Sequence, residues 1–129
     1  MGESEGARVK ALLDGAELVT SSDLTLIECD RVLIRAVAQG ETSETEAAAR
    51  RAYLSLAAAS WTVLHIGTEI VERARRPFPA EPIRSLDAIH LASALSARAS
   101  LRSLEILSLD DRIRNAARQL GFKLQPRPR

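Results

Sequence analysis

Three short apolar runs, ELVT, WTVLHI and LEILSL, are each followed by helical periodicity, and this order constrains the fold more than any other feature. Strands separated by helices pair in parallel, because the crossover returns the chain to the starting end of the sheet. A parallel sheet is covered by helices on both faces and places its sites outside the carboxyl ends of its strands. Residues 1–125 are therefore expected to form one α/β domain with a central parallel sheet. The segment 126–129, PRPR, is too polar and proline-rich for the core and reads as a flexible basic tail.

The helical segments carry their own boundaries. SEGARVKALLDG has Val9, Leu12 and Leu13 in helical spacing and stops at Gly15. DLTLIECDRVLIRAVAQG ends at Gly40, and SETEAAARRAYLSLAAA opens with Ser43 and Glu46, the spacing of a capping box. TEIVERARR breaks at Pro77, Pro79 and Pro82, and the next helix runs from about Arg84 to Ala99 with Ser85 as its expected cap. DDRIRNAARQLG closes at Gly121, and FKLQP is a last short strand. The chain opens with a helix, where a three-layer fold of this kind opens with a buried strand.

Aromatic residues make up only 3% of the chain, so the core must be built from Leu, Ile, Val and Ala. A net charge of +1 gives no bulk-charge argument for nucleic acid. Lys10 and Lys123 are the only lysines; the other positive side chains are arginines, which bind phosphate bidentately, though GC-rich coding favours the same usage. A single cysteine, Cys29, excludes an intrachain disulfide and fits a reducing compartment. With a polar start and no apolar run of membrane-spanning length, the expected location is the cytoplasm, away from membranes.

Three carboxylates interrupt this pattern. Asp87 lies beside Leu91 and Ala94 on a helical row, at the edge of the apolar stripe, with His90 on its other side. An arginine partner or a helix end explains it structurally; a site explains it functionally. Glu28 sits in a row with Leu24 and Val32, and either an ion pair with Arg31 or Arg35 or a functional role accounts for it. Asp110 follows a strand and precedes a helix, which is the place of an N-cap, a role Asp111 could share. Taken together, carboxylates gathered at one sheet end repel unless a cation neutralises them. That is how hard divalent ions are held and how water is activated against a phosphodiester.

LTLIECDRVLIRA, RSLDAIHLASAL and LEILSLDDRIRNAARQLGF, in this order and spacing, resemble the PIN domain, and more narrowly the VapC toxins, ribonucleases of bacterial toxin–antitoxin pairs. The resemblance covers nearly the whole chain. It implies a three-layer α/β/α fold, Mg²⁺- or Mn²⁺-dependent endoribonuclease activity on RNA, cytoplasmic homodimers and inhibition by a cognate VapB-like antitoxin. It also implies that Glu28, Asp87 and Asp110 are the metal-binding and catalytic residues, with Asp111 a substitute for Asp110. The family's first acidic residue lies in an opening strand that nothing here matches, and Asp14, at the end of a helix, does not replace it. The expectation is an N-terminally truncated member, by a mis-called start codon or by decay, lacking the middle strand of its sheet and one metal ligand. The alternative is a catalytically inactive PIN-like protein that binds an antitoxin or RNA without cleaving.

The remaining polar residues read mainly as structural. His90 fits a core edge, or a contact to RNA phosphate. His65 is expected inside a strand, Cys29 as a small buried hydrophobe and Trp61 packed on a helix. Thr20, Ser21 and Ser22 end the first strand as caps or substrate contacts, and Arg75 and Arg76 end a helix in solvent or rim a phosphate site.

Overall fold

The computed structural model describes residues 4–128. In chain order its elements are α1 (Glu5–Gly15), β1 (Thr20–Ser22), α2 (Asp23–Ala38), α3 (Glu44–Ala58), β2 (Thr62–Leu64), α4 (Thr68–Ala74), α5 (Ser85–Ser100), β3 (Ile106–Leu107), α6 (Asp111–Gln119) and β4 (Leu124–Gln125). They fall into two compact units, one of Leu18–His65 and one formed by Met1–Glu17 with Ile66–Arg129. A helix-rich chain with small parallel sheets fits the α/β class expected.

The smaller unit is a β–α–α–β crossover. β1 and β2 pair in parallel with Thr20 opposite Thr62, Ser21 opposite Val63 and Ser22 opposite Leu64. The ladder gains one more bond, from the Thr62 N–H to the Val19 carbonyl at 2.9 Å. α2 packs on α3, with a loose exposed ion pair between Arg51 and Asp30 at 3.8 Å. The turn between them rests on Gly40, whose φ of 74° is costly for any residue with a Cβ. The Ser43 hydroxyl caps α3 by accepting the Glu46 N–H at 3.0 Å, as its spacing predicts. Glu46 returns no bond to the Ser43 backbone; its carboxylate accepts instead from the Thr42 hydroxyl at 2.9 Å.

The larger unit holds the core. Ile70, Phe78, Ala88, Leu91, Ala92, Ile113, Ala116, Ala117 and Phe122 form one buried cluster between α4, α5 and α6. Four of the nine are alanines, so the helix backbones approach closely and little side-chain entropy is lost on packing. Two guanidinium groups lie over the aromatic rings: Arg73 is 4.2 Å from the centre of Phe78, and Arg98 is 4.0 Å from that of Phe122. Arg98 also donates to the Leu120 carbonyl at 2.8 Å, capping the end of α6 just before Gly121, whose φ is 87°.

β3 and β4 pair in parallel, Ile106 opposite Leu124 and Leu107 opposite Gln125. Arg114 of α6 holds the ends of both strands. Its guanidinium donates to the carbonyls of Ser108 at 2.9 Å, Gln125 at 3.0 Å and Pro126 at 2.8 Å. Beyond β4, the Arg127 carbonyl accepts from Arg8 of α1 at 2.7 Å.

Three expectations need correction. His65 is not inside a strand: β2 stops at Leu64, and the His65 side chain is 93% exposed, with its Nδ1 3.1 Å from Asp23. Ser85 does not cap α5, because the cap is Arg84 with extended backbone and no side-chain bond, and Ser85 is already helical. The row containing Glu28 is not a buried stripe, since Leu24 is buried but Val32 is 60% exposed.

Candidate functional site

α5 and α6 each turn one helical row toward a common open cleft of about 430 Å³. From α5 and its cap come Arg84, Asp87 and Leu91; from α6 come Arg112, Asn115 and Ala116. Both rows follow the three- and four-residue spacing that stacks side chains on one helix face. Leu91 and Ala116 are buried and form an apolar floor, while Arg84, Arg112 and Asn115 are exposed at the mouth. Asp87, half-buried, lies between floor and mouth.

The third wall is the proline-containing loop before α5, and Glu81 fixes its shape. One carboxylate oxygen accepts the Phe78 N–H at 2.7 Å and the other accepts the Ile83 N–H at 2.8 Å. Phe78 is itself buried in the core, and Arg73 donates to the Pro77 carbonyl at 3.2 Å. Local bonds thus hold the loop as a formed wall, and the loop delivers an extended backbone to Arg84, where α5 begins.

Asp87 occupies the third helical position of α5, where a carboxylate is favoured by the unpaired N–H groups of the first turn. That accounts for its tolerance at the edge of the apolar stripe. Among the described residues, the side chains of Asp87, Arg84, Arg112 and Asn115 have no hydrogen-bond or ion-pair partner. Opposite charges line one cleft without pairing, which leaves acceptors and donors available to a ligand.

The other two carboxylates stand elsewhere in the chain's organisation. Asp110 caps α6, and one of its oxygens accepts the N–H groups of Arg112 at 2.8 Å and Ile113 at 3.3 Å. Its own N–H donates to the Ser108 hydroxyl at 3.1 Å. Glu28 is half-buried on α2, in the smaller unit, whereas Asp87 and Asp110 belong to the larger one. Among the described residues, no group of three or more His, Cys, Asp or Glu side chains is placed to hold a metal ion.

Cys29, next to Glu28, is half-buried. Burial raises its thiol pKa above the ordinary range, and the carboxylates of Asp30 and Glu28 push it further the same way. It is a poor nucleophile at neutral pH. Arg75 and Arg76 are exposed and do not line the cleft; His90 is half-buried on α5.

The sequence reading did not single out Arg84, Arg112 and Asn115. The signal was present, since Arg84 and Asp87 are one turn apart, as are Arg112 and Asn115. It was masked because arginine is spread over the whole chain. Among the described residues, no helix is long and apolar enough to cross a membrane. The chain matches the family model described as PIN domain over residues 1–119. No curated protein matches it.

Proposed function

The chain belongs to the PIN domain family, and from that premise we propose that it is a metal-dependent endoribonuclease of the VapC toxin kind. PIN domains are generally metal-dependent nucleases, so a nuclease is the coarse reading of this chain. The finer reading rests on one observation above others: a half-buried, unpaired Asp87 in a formed cleft with arginines at its mouth. A carboxylate so placed can orient a water and accept its proton, while guanidinium groups balance the charge of a phosphodiester. Mg²⁺ or Mn²⁺ on Glu28, Asp87 and Asp110 is part of this proposal, as are a VapB-like antitoxin, a homodimer and a cytoplasmic location. The exposed apolar side chains Ile27, Ile34, Tyr53 and Leu56 on α2 and α3 support a protein partner.

That each described sheet has only two strands, β1 with β2 and β3 with β4, supports the reading that the family's middle strand is not among them.

The test is cleavage of single-stranded RNA with Mg²⁺ or Mn²⁺, and with a chelator, by the protein and by its Asp87→Asn variant. The expected result is metal-dependent cleavage that falls at least about a hundredfold in the variant, the usual scale for a positioned acid–base group. Equal cleavage by both proteins removes Asp87 from the mechanism. A second reading, a PIN-like protein that binds RNA or an antitoxin without cleaving, is favoured by Asp110, one of whose carboxylate oxygens is already engaged in capping α6. That reading predicts RNA binding with no cleavage under any metal.

A further inference from the structure

The arginines at the mouth of the α5–α6 cleft exceed what the fold requires of them. Four arginines elsewhere in the larger unit are spent on structure: Arg73 and Arg98 lie on aromatic rings, Arg114 holds three carbonyls, and Arg8 holds the Arg127 carbonyl. Arg84 and Arg112 do none of this. Among the described residues their guanidinium groups have no partner, although both line the cleft that contains Asp87.

We propose that Arg84 and Arg112 form a phosphate clamp for single-stranded RNA, with Asn115 contacting the nucleotide between them. This rests on the nuclease reading for its substrate class but not for its geometry. Each guanidinium presents a planar fork matched to two phosphate oxygens. They approach from different walls, Arg84 from the start of α5 and Arg112 from the first turn of α6, so one phosphodiester entering the mouth meets both. The start of α5 has no side-chain cap, and its free first-turn backbone N–H groups favour the same anion. The floor of Leu91 and Ala116 is apolar, which suits a ribose or base edge and not a second phosphate. A volume of about 430 Å³ is within the range of small-molecule pockets and is large enough for one nucleotide. Asn115, with both a donor and an acceptor, can bond a base edge or the ribose 2′-hydroxyl. Asp87 repels a bound phosphate unless the arginines outweigh it, and two guanidinium groups against one carboxylate leave the cleft net positive.

The experiment uses Asp87→Asn as background, so that cleavage does not deplete the probe. It measures binding of a fluorescent single-stranded RNA oligonucleotide by anisotropy over a range of salt. Arg84→Ala and Arg112→Ala are each expected to weaken binding about tenfold. The double variant should flatten the plot of log affinity against log salt by about 0.7, one phosphate charge at the slope for single strands. Arg84→Lys with Arg112→Lys should keep the slope and lose affinity, because the charge remains and the fork is gone. Both side chains are exposed, so unchanged thermal melting of the variants is the folding control.

Unchanged affinity and slope in the double variant would overturn the clamp. So would arginine-dependent binding of an acidic peptide together with arginine-independent binding of RNA. The nuclease reading fails separately. Wild type that binds RNA through both arginines yet never cleaves keeps the clamp and removes the enzyme, whereas arginine variants that cleave with unchanged KM keep the enzyme and remove the clamp.

Discussion

Leu91 and Leu56 are the same residue type in helices of the same chain, yet Leu91 is 1% exposed and Leu56 is 78% exposed. The contrast runs through both units. In the larger one, the apolar rows of α4, α5 and α6 close on each other with Phe78 and Phe122 between them. In the smaller one, only Leu24 and Ala47 are buried apolar residues, while Leu18, Ile27, Val32, Ile34, Tyr53 and Leu56 are exposed. The smaller unit also carries Thr20 and Ser22, whose buried hydroxyls find no hydrogen-bond partner among the described residues. Two helices on a pair of three-residue strands offer too little surface to enclose their own apolar side chains. The lesson is a difference in enclosure: the larger unit buries its apolar rows against one another, and the smaller leaves most of its large apolar side chains exposed.

The largest expected effect tests that difference directly. Leu91→Ala should cost about 2–5 kcal/mol by denaturant unfolding, the range for emptying a tight apolar site, whereas Leu56→Ala should stay within about 0.5 kcal/mol. Equal losses would break the comparison. Next, Arg114→Ala leaves three carbonyls without their donor, and a loss of about 1–3 kcal/mol is expected, with hydrogen exchange rising in β3 and β4 before α5. Asp110→Ala removes the cap of α6 and should cost about 0.5–2 kcal/mol; Asp110→Asn, which still accepts at the cap, should recover most of it. If Asp110→Asn is as stable as wild type and yet inactive in RNA cleavage, the carboxylate has a chemical role beyond its cap.

The smallest effect concerns Cys29. Its thiol pKa is raised in the folded chain, so the folded state favours the proton. The matching stability is complete below the pKa of the unfolded thiol and is lost as pH rises through the folded value. Alkylation by iodoacetamide at neutral pH should therefore be slower than for a free thiol and should accelerate on unfolding. A fast native reaction would mean that α2 is more open than its burial indicates.

Helices were legible in the sequence because their ends are local chemistry. Ser43, Gly40 and Gly121 mark boundaries with side-chain oxygens and positive φ, and both can be read from a few neighbours. Strands were legible in position and parallel direction but not in length. WTVLHI yields only Thr62–Leu64, and LEILSL only Ile106–Leu107, because a strand paired on one edge ends where its single partner ends. The start of α5 was misread since Ser85 looks like a cap. Glu81 overrules it by fixing the loop so that the chain stays extended through Arg84. Asp87 at the edge of an apolar stripe was visible from periodicity, and the cap at Asp110 from its place after a strand. The pairing of Arg84 with Arg112 across two helices was not, because it depends on how α5 and α6 cross.

Glu81 ties the cleft to the interior through a single side chain. Its carboxylate grips the backbone of Phe78, whose ring lies in the core, and of Ile83, which faces the cleft. An engineer who repacks Phe78 for heat resistance would therefore retune the mouth where substrate enters, and durability and selectivity could not be adjusted independently at that corner.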